Sequence, residues 1–136
     1  MNWTNILHQS GFRVTPARIA VLEVIEKAHE PIDAASIHAL VSERKIQCNL
    51  VTVYRMLESF VSKNVVTQID FQDGKFRYEI MHDHHHHLVC TQCGCIQSIH
   101  EVCIAMSEQQ VAKQYGFTIT RHQLEFFGLC NKCNKT

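Results

Sequence analysis

The chain has 136 residues, 46% of them hydrophobic, which is enough to bury a core as one domain or as two small ones. Lysine and arginine together number 13, as do aspartate and glutamate, so the composition excludes a bulk positive field. Any DNA binding must therefore rest on a local surface.

Neither a membrane span nor a signal-peptide pattern is visible in the sequence. We therefore expect a cytoplasmic protein, in which seven cysteines act as metal ligands or thiols rather than as disulfides.

Three helices are predicted in the first 63 residues from their N-caps and their apolar spacing. Thr15 followed by Pro16 begins the first helix, Asp33 caps the second and Asn49 caps the third. The inward positions are Ile19, Leu22 and Ile25, then Ile37, Leu40 and Val41, and finally Val53, Leu57, Phe60 and Val61. The third helix leaves an unusual outer face of hydroxyls, a phenol and a guanidinium: Thr52, Tyr54, Arg55, Ser59 and Ser62.

The residue pattern then changes to a period of two, from residue 65 to residue 70 and again from residue 76 to residue 80. A turn at Asp73-Gly74 lies between the two segments. This pattern predicts a β-hairpin. Three helices and a hairpin are the order of a winged helix-turn-helix, in which the helix at 50–62 enters the major groove. A plain helical domain with a solvated polar face is the alternative.

The second half is predicted to be a small α/β domain. Its expected elements are strands at 87–90 and 95–99, a helix at 101–115 ended by Gly116, and a strand region at 117–128. We therefore predict an α+β chain with a winged-helix domain at 1–80, a hinge at 81–84, and a metal-binding domain at 85–136 whose apolar sheet could pair with a second copy.

Two Cys-x-x-Cys motifs dominate the second half, Cys90/Cys93 and Cys130/Cys133. Each pair can bind one side of a tetrahedral ion, and the two pairs together complete a four-sulfur site. Structural Zn²⁺ is the expected occupant, with redox dithiols or an iron-sulfur cluster as alternatives. Cys48, Cys95 and Cys103 are left over.

Four histidines, His84 to His87, precede the first Cys pair. On a strand, alternate side chains face opposite ways, so this segment could give imidazole pairs to two separate ions. A solvated histidine cluster is the alternative, because each site needs further ligands. The candidates for those are Glu79 and His122.

Several motifs together resemble the ferric uptake regulator (Fur) family over nearly the whole chain. They are Gly11-Phe-Arg13-Val-Thr15-Pro16-x-Arg18, Thr52-Val-Tyr54-Arg55-x-Leu57, Tyr78-Glu79, His84-His-His-His87-Leu-Val-Cys90-x-x-Cys93-Gly94, and His122 through Gly128-x-Cys130-x-x-Cys133.

The resemblance implies a homodimeric, metal-dependent transcriptional repressor that binds operator DNA. It assigns structural zinc to Cys90, Cys93, Cys130 and Cys133, a sensing site to Glu79, His85 and His87, and a further metal site to His84, His86 and His122. The expected DNA-binding residues are Arg13, Arg18, Thr52, Tyr54 and Arg55.

The chain also departs from the family pattern. Glu30, with His29 beside it, stands where the family has a sensing-site histidine, and Ser98 replaces an acidic residue. An acidic ligand of the further site is expected near residue 105, where Glu101 or Glu108 could substitute. His86 replaces an aspartate, as in zinc uptake regulators.

The sensed ion is expected to be Zn²⁺ or Fe²⁺, with Mn²⁺ also possible, because nitrogen and carboxylate ligands suit all three. A peroxide-responsive regulator is an alternative that Ser98 disfavours. A zinc-dependent enzyme is a further alternative, although neither His-Glu-x-x-His nor the zinc deaminase motif occurs.

Overall fold

The computed structural model describes residues 1–81, 86–99, 108–120 and 122–134. The chain divides into two compact units, Met1–His82 and Asp83–Thr136. Residues 82–84 of the predicted hinge lie outside the described residues.

Within residues 1–81, four helices accompany a three-stranded antiparallel sheet with the order β1-β3-β2. The elements are α1 (Trp3–Gln9), α2 (Pro16–Lys27), β1 (Ile32–Asp33), α3 (Ala34–Glu43), α4 (Leu50–Ser62), β2 (Val66–Asp70) and β3 (Phe76–Ile80).

The three predicted N-caps begin α2, α3 and α4. The side chain of Thr15 accepts a hydrogen bond from the Arg18 amide at 3.2 Å. Asp33 accepts one from the Ser36 amide at 3.1 Å, and Asn49 one from the Thr52 amide at 2.8 Å. Each cap gives a partner to an amide that the helix itself cannot satisfy, so the helix starts are fixed locally.

Two elements of this unit were not predicted, namely α1 and β1. The helix α1 is capped by Asn2 and buries only Trp3 and Leu7, which is too little to give a periodic pattern. The strand β1 has two residues and pairs Ile32 with Tyr78, so it adds a third strand to the hairpin.

The predicted hairpin is confirmed, with Val66 opposite Ile80 and Asp70 opposite Phe76. One face of the hairpin joins the helices in a single hydrophobic core. This unit is therefore a helix-turn-helix followed by a wing, and the expected α+β class is confirmed. The core includes Leu7, Val21, Leu22, Ile37, Val41, Val53, Leu57, Phe60, Val66, Tyr78 and Ile80.

The described part of the second unit contains one helix and a three-stranded sheet with the order β5-β4-β6. Its central strand is antiparallel to β5 and parallel to β6. The elements are β4 (His86–Cys90), β5 (Ile96–Ile99), α5 (Glu108–Tyr115) and β6 (Glu125–Gly128).

The predicted ends of these elements agree with the structure where it describes them. The strands expected at 87–90 and 95–99 are found within one residue of those bounds. Gly116 follows α5 with φ +74°, and its amide donates to the Ala112 carbonyl at 2.9 Å, as expected for the residue after a helix. Residues 101–107 of the predicted helix lie outside the described residues.

The prediction of a strand region over residues 117–128 is wrong for its first part. Among the described residues of this region, Glu125–Gly128 alone form a strand, alongside β4. Residues 117–120 pair with no strand in the described part of the chain, and Phe117 is 69% exposed. The alternation of apolar residues in this region predicted a strand. A strand also needs a neighbouring strand to complete its backbone hydrogen bonds, and residues 117–120 have none among the described residues.

Among the described residues, no helix is both long and apolar enough to span a bilayer.

Candidate metal centres

The two Cys pairs meet at one end of the second sheet because β4 and β6 run parallel. Cys90 is the last residue of β4 and lies opposite Gly128, the last residue of β6. The Thr91 amide extends this pairing by donating to the Gly128 carbonyl at 2.8 Å. The chain therefore leaves both strands at the same place, which brings Cys130 to the first Cys pair.

The distances between the sulfur atoms suit zinc. Cys93 Sγ and Cys130 Sγ lie 3.8 Å apart. The candidate ligand atoms of Cys90, Cys93, Cys95 and Cys130 all lie within 4.8 Å of one another. Tetrahedral zinc with Zn–S bonds of about 2.3 Å places its sulfurs about 3.8 Å apart. The cluster can therefore close on a zinc ion with little rearrangement.

Backbone amides already stabilise thiolate at Cys90. Its Sγ accepts hydrogen bonds from the amides of Cys93, at 3.5 Å, and Cys130, at 3.4 Å. These bonds lower the pKa of Cys90 to about 5. The Cys133 amide lowers the pKa of Cys130 in the same way.

The remaining thiols show how closely the sulfurs are packed. A hydrogen bond with the Cys93 thiol raises the pKa of Cys95 to about 12, and one with the Cys130 thiol raises the pKa of Cys133 to about 12. So many thiolates cannot lie together without a compensating positive charge, which a bound cation supplies.

Cys95 is a member of this group that sequence reasoning left unassigned. The group of five, Cys90, Cys93, Cys95, Cys130 and Cys133, is called the cysteine cluster below. A signal was present, because Cys95 follows the first Cys pair after a single glycine. Cys103 lies outside the described residues.

His87, predicted for the sensing site, is a buried residue of β4 with a carboxylate beside it. Glu125 Oε2 lies 3.0 Å from His87 Nδ1 and accepts the His87 amide at 3.1 Å. Both side chains are more than nine-tenths buried. Since Nδ1 of His87 is held by Glu125, Nε2 is the nitrogen suited to bind a metal.

Glu125 was not anticipated from the sequence. The family resemblance implies a carboxylate at the position of Ser98, which lies on β5 opposite His87. The structure places a carboxylate on the other neighbouring strand instead, where Glu125 of β6 is also opposite His87. Only the parallel pairing of β4 with β6 reveals this.

The other residues predicted for the sensing site belong mostly to the first unit. Glu79 is half-buried on β3, opposite Thr67. His29 and Glu30 are exposed between α2 and β1. His85 lies outside the described residues.

A second imidazole and carboxylate group lies within the second unit. His122 Nδ1 is 2.6 Å from Glu108 Oε1 at the start of α5. The rings of His86 and His122 lie 6.3 Å apart, and His86 Nδ1 is 3.1 Å from the Leu124 carbonyl oxygen. The structure thus brings His122 into contact with Glu108 and places the His86 ring nearby. His84 and Glu101 lie outside the described residues.

The outer face of α4 has the predicted composition. Val53, Leu57 and Phe60 are buried, whereas Tyr54 is 48% exposed and Arg55 is also exposed. Thr52 is half-buried, Ser59 and Ser62 are exposed, and the two serines donate hydrogen bonds to carbonyls of their own helix.

Arg18 supports the segment that carries Arg13. Its Nη1 donates to the Arg13 carbonyl at 2.7 Å, and its guanidinium lies 5.6 Å from the centre of the Phe12 ring. Phe12 packs edge-on against Phe60 of α4. Arg18 therefore holds the exposed Arg13 in a fixed relation to α4.

The sequence matches the model of the Ferric uptake regulator family over residues 9–127. This chain belongs to the ferric uptake regulator family. The relatives named as ferric uptake regulation proteins are transcription regulators, which agrees with the helix-turn-helix of the first unit.

Individual relatives extend this match to most of the chain. The ferric uptake regulation protein of Bacillus subtilis (strain 168) is 36% identical over 133 residues, which cover 94% of this chain and 89% of that protein. The crystal structure of the Vibrio cholerae ferric uptake regulator has a TM-score of 0.76 at 30% identity and covers 95% of this chain and 100% of its own. A zinc uptake regulator complexed with zinc and DNA has the same fold, with a TM-score of 0.67 at 24% identity, covering 96% of this chain and 89% of its own.

Proposed function

We propose that this protein is a metal-responsive transcriptional repressor that binds operator DNA as a homodimer and controls genes of zinc or iron homeostasis. The observation that carries the proposal is the convergence of four cysteine sulfurs at the ends of two strands, at distances suited to zinc. The helix-turn-helix in the same chain supplies the DNA-binding surface.

The structural ion in this proposal is Zn²⁺, bound by Cys90, Cys93, Cys130 and Cys133. Sulfur ligands and tetrahedral spacing favour zinc over harder cations. The zinc joins the ends of β4 and β6, and thereby fixes the strands that carry His87 and Glu125.

The sensing ion is Zn²⁺ or Fe²⁺ in this proposal, with Mn²⁺ also possible. Its ligands include Glu79, His85 and His87, and Glu30 or the adjacent His29 is the candidate for a further ligand. These residues come from both units. Glu79 and His87, when they hold one cation together, favour the arrangement of the two units in which every ligand is engaged. If that arrangement places the α4 helices of a dimer for adjacent major grooves, metal increases the affinity for DNA.

Glu125 is the residue that orients His87 and raises the basicity of its Nε2 in this scheme. We expect Glu125→Gln to weaken cation binding at the sensing site about 10–100-fold, because the neutral amide keeps the size but not the charge. Competition titration of zinc-loaded protein against a chelating dye measures this affinity.

The control for this variant is Glu43→Gln, a change at an exposed carboxylate on α3. It should leave the cation affinity unchanged. Equal affinities for Glu125→Gln and the unmodified protein would show that Glu125 has no part in the sensing site.

The further metal site comprises His86, His122 and Glu108, with His84 and Glu101 as the other candidates. The contact between His122 and Glu108 and the neighbouring ring of His86 support it. Because all three described residues lie in the second unit, an ion here would stabilise that unit.

The recognition element is α4, with Tyr54, Arg55 and Thr52 directed to the DNA and Arg13 reaching the adjacent groove. The exposure of Tyr54 and Arg55 supports this role, and so does the contact that ties Arg18 to the Arg13 segment.

Arg55→Ala should weaken operator binding by about 1–3 kcal/mol, since an arginine that contacts a base edge contributes this much. Fluorescence anisotropy with labelled operator DNA measures the change. Lys63→Ala, which removes an exposed cation at the end of the same helix, is the matched control and should cost less. If the two variants lose the same amount of operator affinity, Arg55 contributes only a non-specific positive charge.

The homodimer is supported by exposed apolar side chains on the second unit, which give a partner apolar surface to cover. These are Leu88, Tyr115, Phe117, Phe126, Phe127 and Leu129. We infer that the protein acts in the cytoplasm, where its DNA is, and that it is not an enzyme, because the relatives are transcription regulators.

The test of the function is a selection of genomic DNA. Zinc-loaded protein is mixed with sheared genomic fragments and Zn²⁺, Fe²⁺ or Mn²⁺ in separate samples, and the retained fragments are sequenced. The proposal expects enrichment of promoters of metal-uptake genes in one sample above the metal-free control. Identical fragments with and without every cation would refute it.

A further inference from the structure

The cysteine cluster contains five sulfurs, one more than a tetrahedral zinc can bind. Cys95 is brought into it by the turn after the first Cys pair. Gly94 adopts φ +78°, a conformation that glycine accepts readily, and the Cys90 amide donates to the Cys95 carbonyl at 3.0 Å. The backbone of Cys95 is therefore fixed beside that of Cys90.

Cys95 and Cys133 both neighbour the other three cysteines. The Cys95 sulfur lies within 4.8 Å of the sulfurs of Cys90, Cys93 and Cys130. Cys133 ends a tight turn that starts at Cys130, in which its amide donates to the Cys130 carbonyl at 3.0 Å. Both can therefore reach the fourth corner of a tetrahedron whose other corners are Cys90, Cys93 and Cys130.

The sulfur distances favour Cys95 as the fourth ligand. The four cysteines whose ligand atoms lie mutually within 4.8 Å are Cys90, Cys93, Cys95 and Cys130. The spacing of the Cys-x-x-Cys motifs instead favours Cys133, because its amide supports Cys130 as the Cys93 amide supports Cys90. Local backbone geometry and sulfur distances thus select different fourth ligands.

We propose that Cys95 is an alternative fourth ligand of the structural zinc, interchangeable with Cys133. This inference rests on the proposed function, which places zinc in the cluster. In the exchange, the Cys95 thiolate forms a bond to zinc as the Cys133 sulfur leaves, with no change of oxidation state, and the departing thiolate takes up the proton that Cys95 released. The site therefore keeps four sulfur ligands when Cys133 is lost or modified.

The test on unmodified protein is alkylation of the full-length, zinc-loaded chain with iodoacetamide, followed by peptide mapping. We expect label at either Cys95 or Cys133 within each molecule, with both positions represented in the population and the other three cysteines of the cluster protected. Label confined to Cys95 or confined to Cys133 would overturn the interchange.

Variants give an independent test through zinc content after dialysis against a chelator. Cys133→Ser and Cys95→Ser should each retain zinc, whereas the double variant should lose it. Cobalt substitution then counts the ligands, because the intensity of the sulfur-to-cobalt charge-transfer absorption follows the number of thiolates. The single variants should keep the intensity of the unmodified protein.

Loss of zinc from Cys133→Ser as complete as that from the double variant would contradict the proposal. Loss from Cys95→Ser alone would contradict it too, since Cys95 would then be a permanent ligand. Failure of the zinc assignment in the proposed function has a different signature, because the unmodified protein would itself hold no zinc.

Discussion

Cys90→Ser is expected to abolish zinc binding and to unfold the second unit. Cys90 is buried at the end of β4, its sulfur accepts two backbone amides, and its strand partner Gly128 precedes Cys130. Structural zinc contributes about 10–16 kcal/mol in small zinc-binding peptides, which exceeds the stability of most small domains. No other cysteine occupies this strand position, so neither Cys95 nor Cys133 can replace Cys90.

The composition of the second unit explains why the loss should be so large. Among its described residues, the buried side chains besides Cys90 are those of His86, His87 and Glu125. Such a unit has little apolar core to stabilise it without metal. The first unit, by contrast, contains a continuous hydrophobic core from Trp3 to Ile80.

Zinc analysis and circular dichroism measure this outcome on the full-length chain. We expect Cys90→Ser to lack zinc, to lose the thermal transition of the second unit and to fail to dimerise, while the transition of the first unit remains. Cys48→Ser changes a half-buried thiol of the first unit and serves as the control. A zinc-loaded Cys90→Ser protein of unchanged thermal stability would contradict the assignment.

His87→Gln is expected to retain the structural zinc and the fold but to lose the metal response. The glutamine amide can still donate to Glu125, so the buried contact between β4 and β6 is kept. The variant lacks the imidazole nitrogen that would bind the sensing ion. To shift the protein from about 1% to about 99% of the DNA-binding arrangement, the cation must bind that arrangement about 5.5 kcal/mol more tightly than the other. We expect a sensing site without the His87 imidazole to fall short of this difference.

Operator binding measured by anisotropy at increasing metal concentration distinguishes this result from simple misfolding. The His87→Gln protein should bind operator with the same weak affinity at every concentration of added cation. His8→Gln alters an exposed histidine on α1 and should respond like the unmodified protein. A normal metal response in His87→Gln would exclude His87 from the sensing site.

The sequence predicted the first unit well because its signals are local. Thr15, Asp33 and Asn49 each act within three residues, and the hairpin register follows from alternation and the Asp73-Gly74 turn. The elements that the sequence did not predict are α1 and β1. Both are short, and their formation depends on packing against the rest of the unit.

The sites were predicted less completely because their parts come from distant segments. The two-residue spacing of the Cys pairs predicts a metal site directly. Glu125, by contrast, is 38 residues from His87 and contacts it only because β4 and β6 pair in parallel. Cys95 lacks the two-residue spacing of a Cys pair, and its place in the cluster depends on the turn at Gly94. Neither the contact of Glu125 with His87 nor the position of Cys95 in the cluster can be predicted from residue type alone.

The most direct test compares the operator affinity of one zinc-loaded preparation before and after addition of the sensing cation, with cysteine-bound zinc measured in both samples. Coupling between metal and DNA predicts that the dissociation constant falls by about 100-fold, as a competent state rises from about 1% to about 99% of the population. An unchanged dissociation constant, with the zinc content equal and the cation shown to be bound, would contradict it.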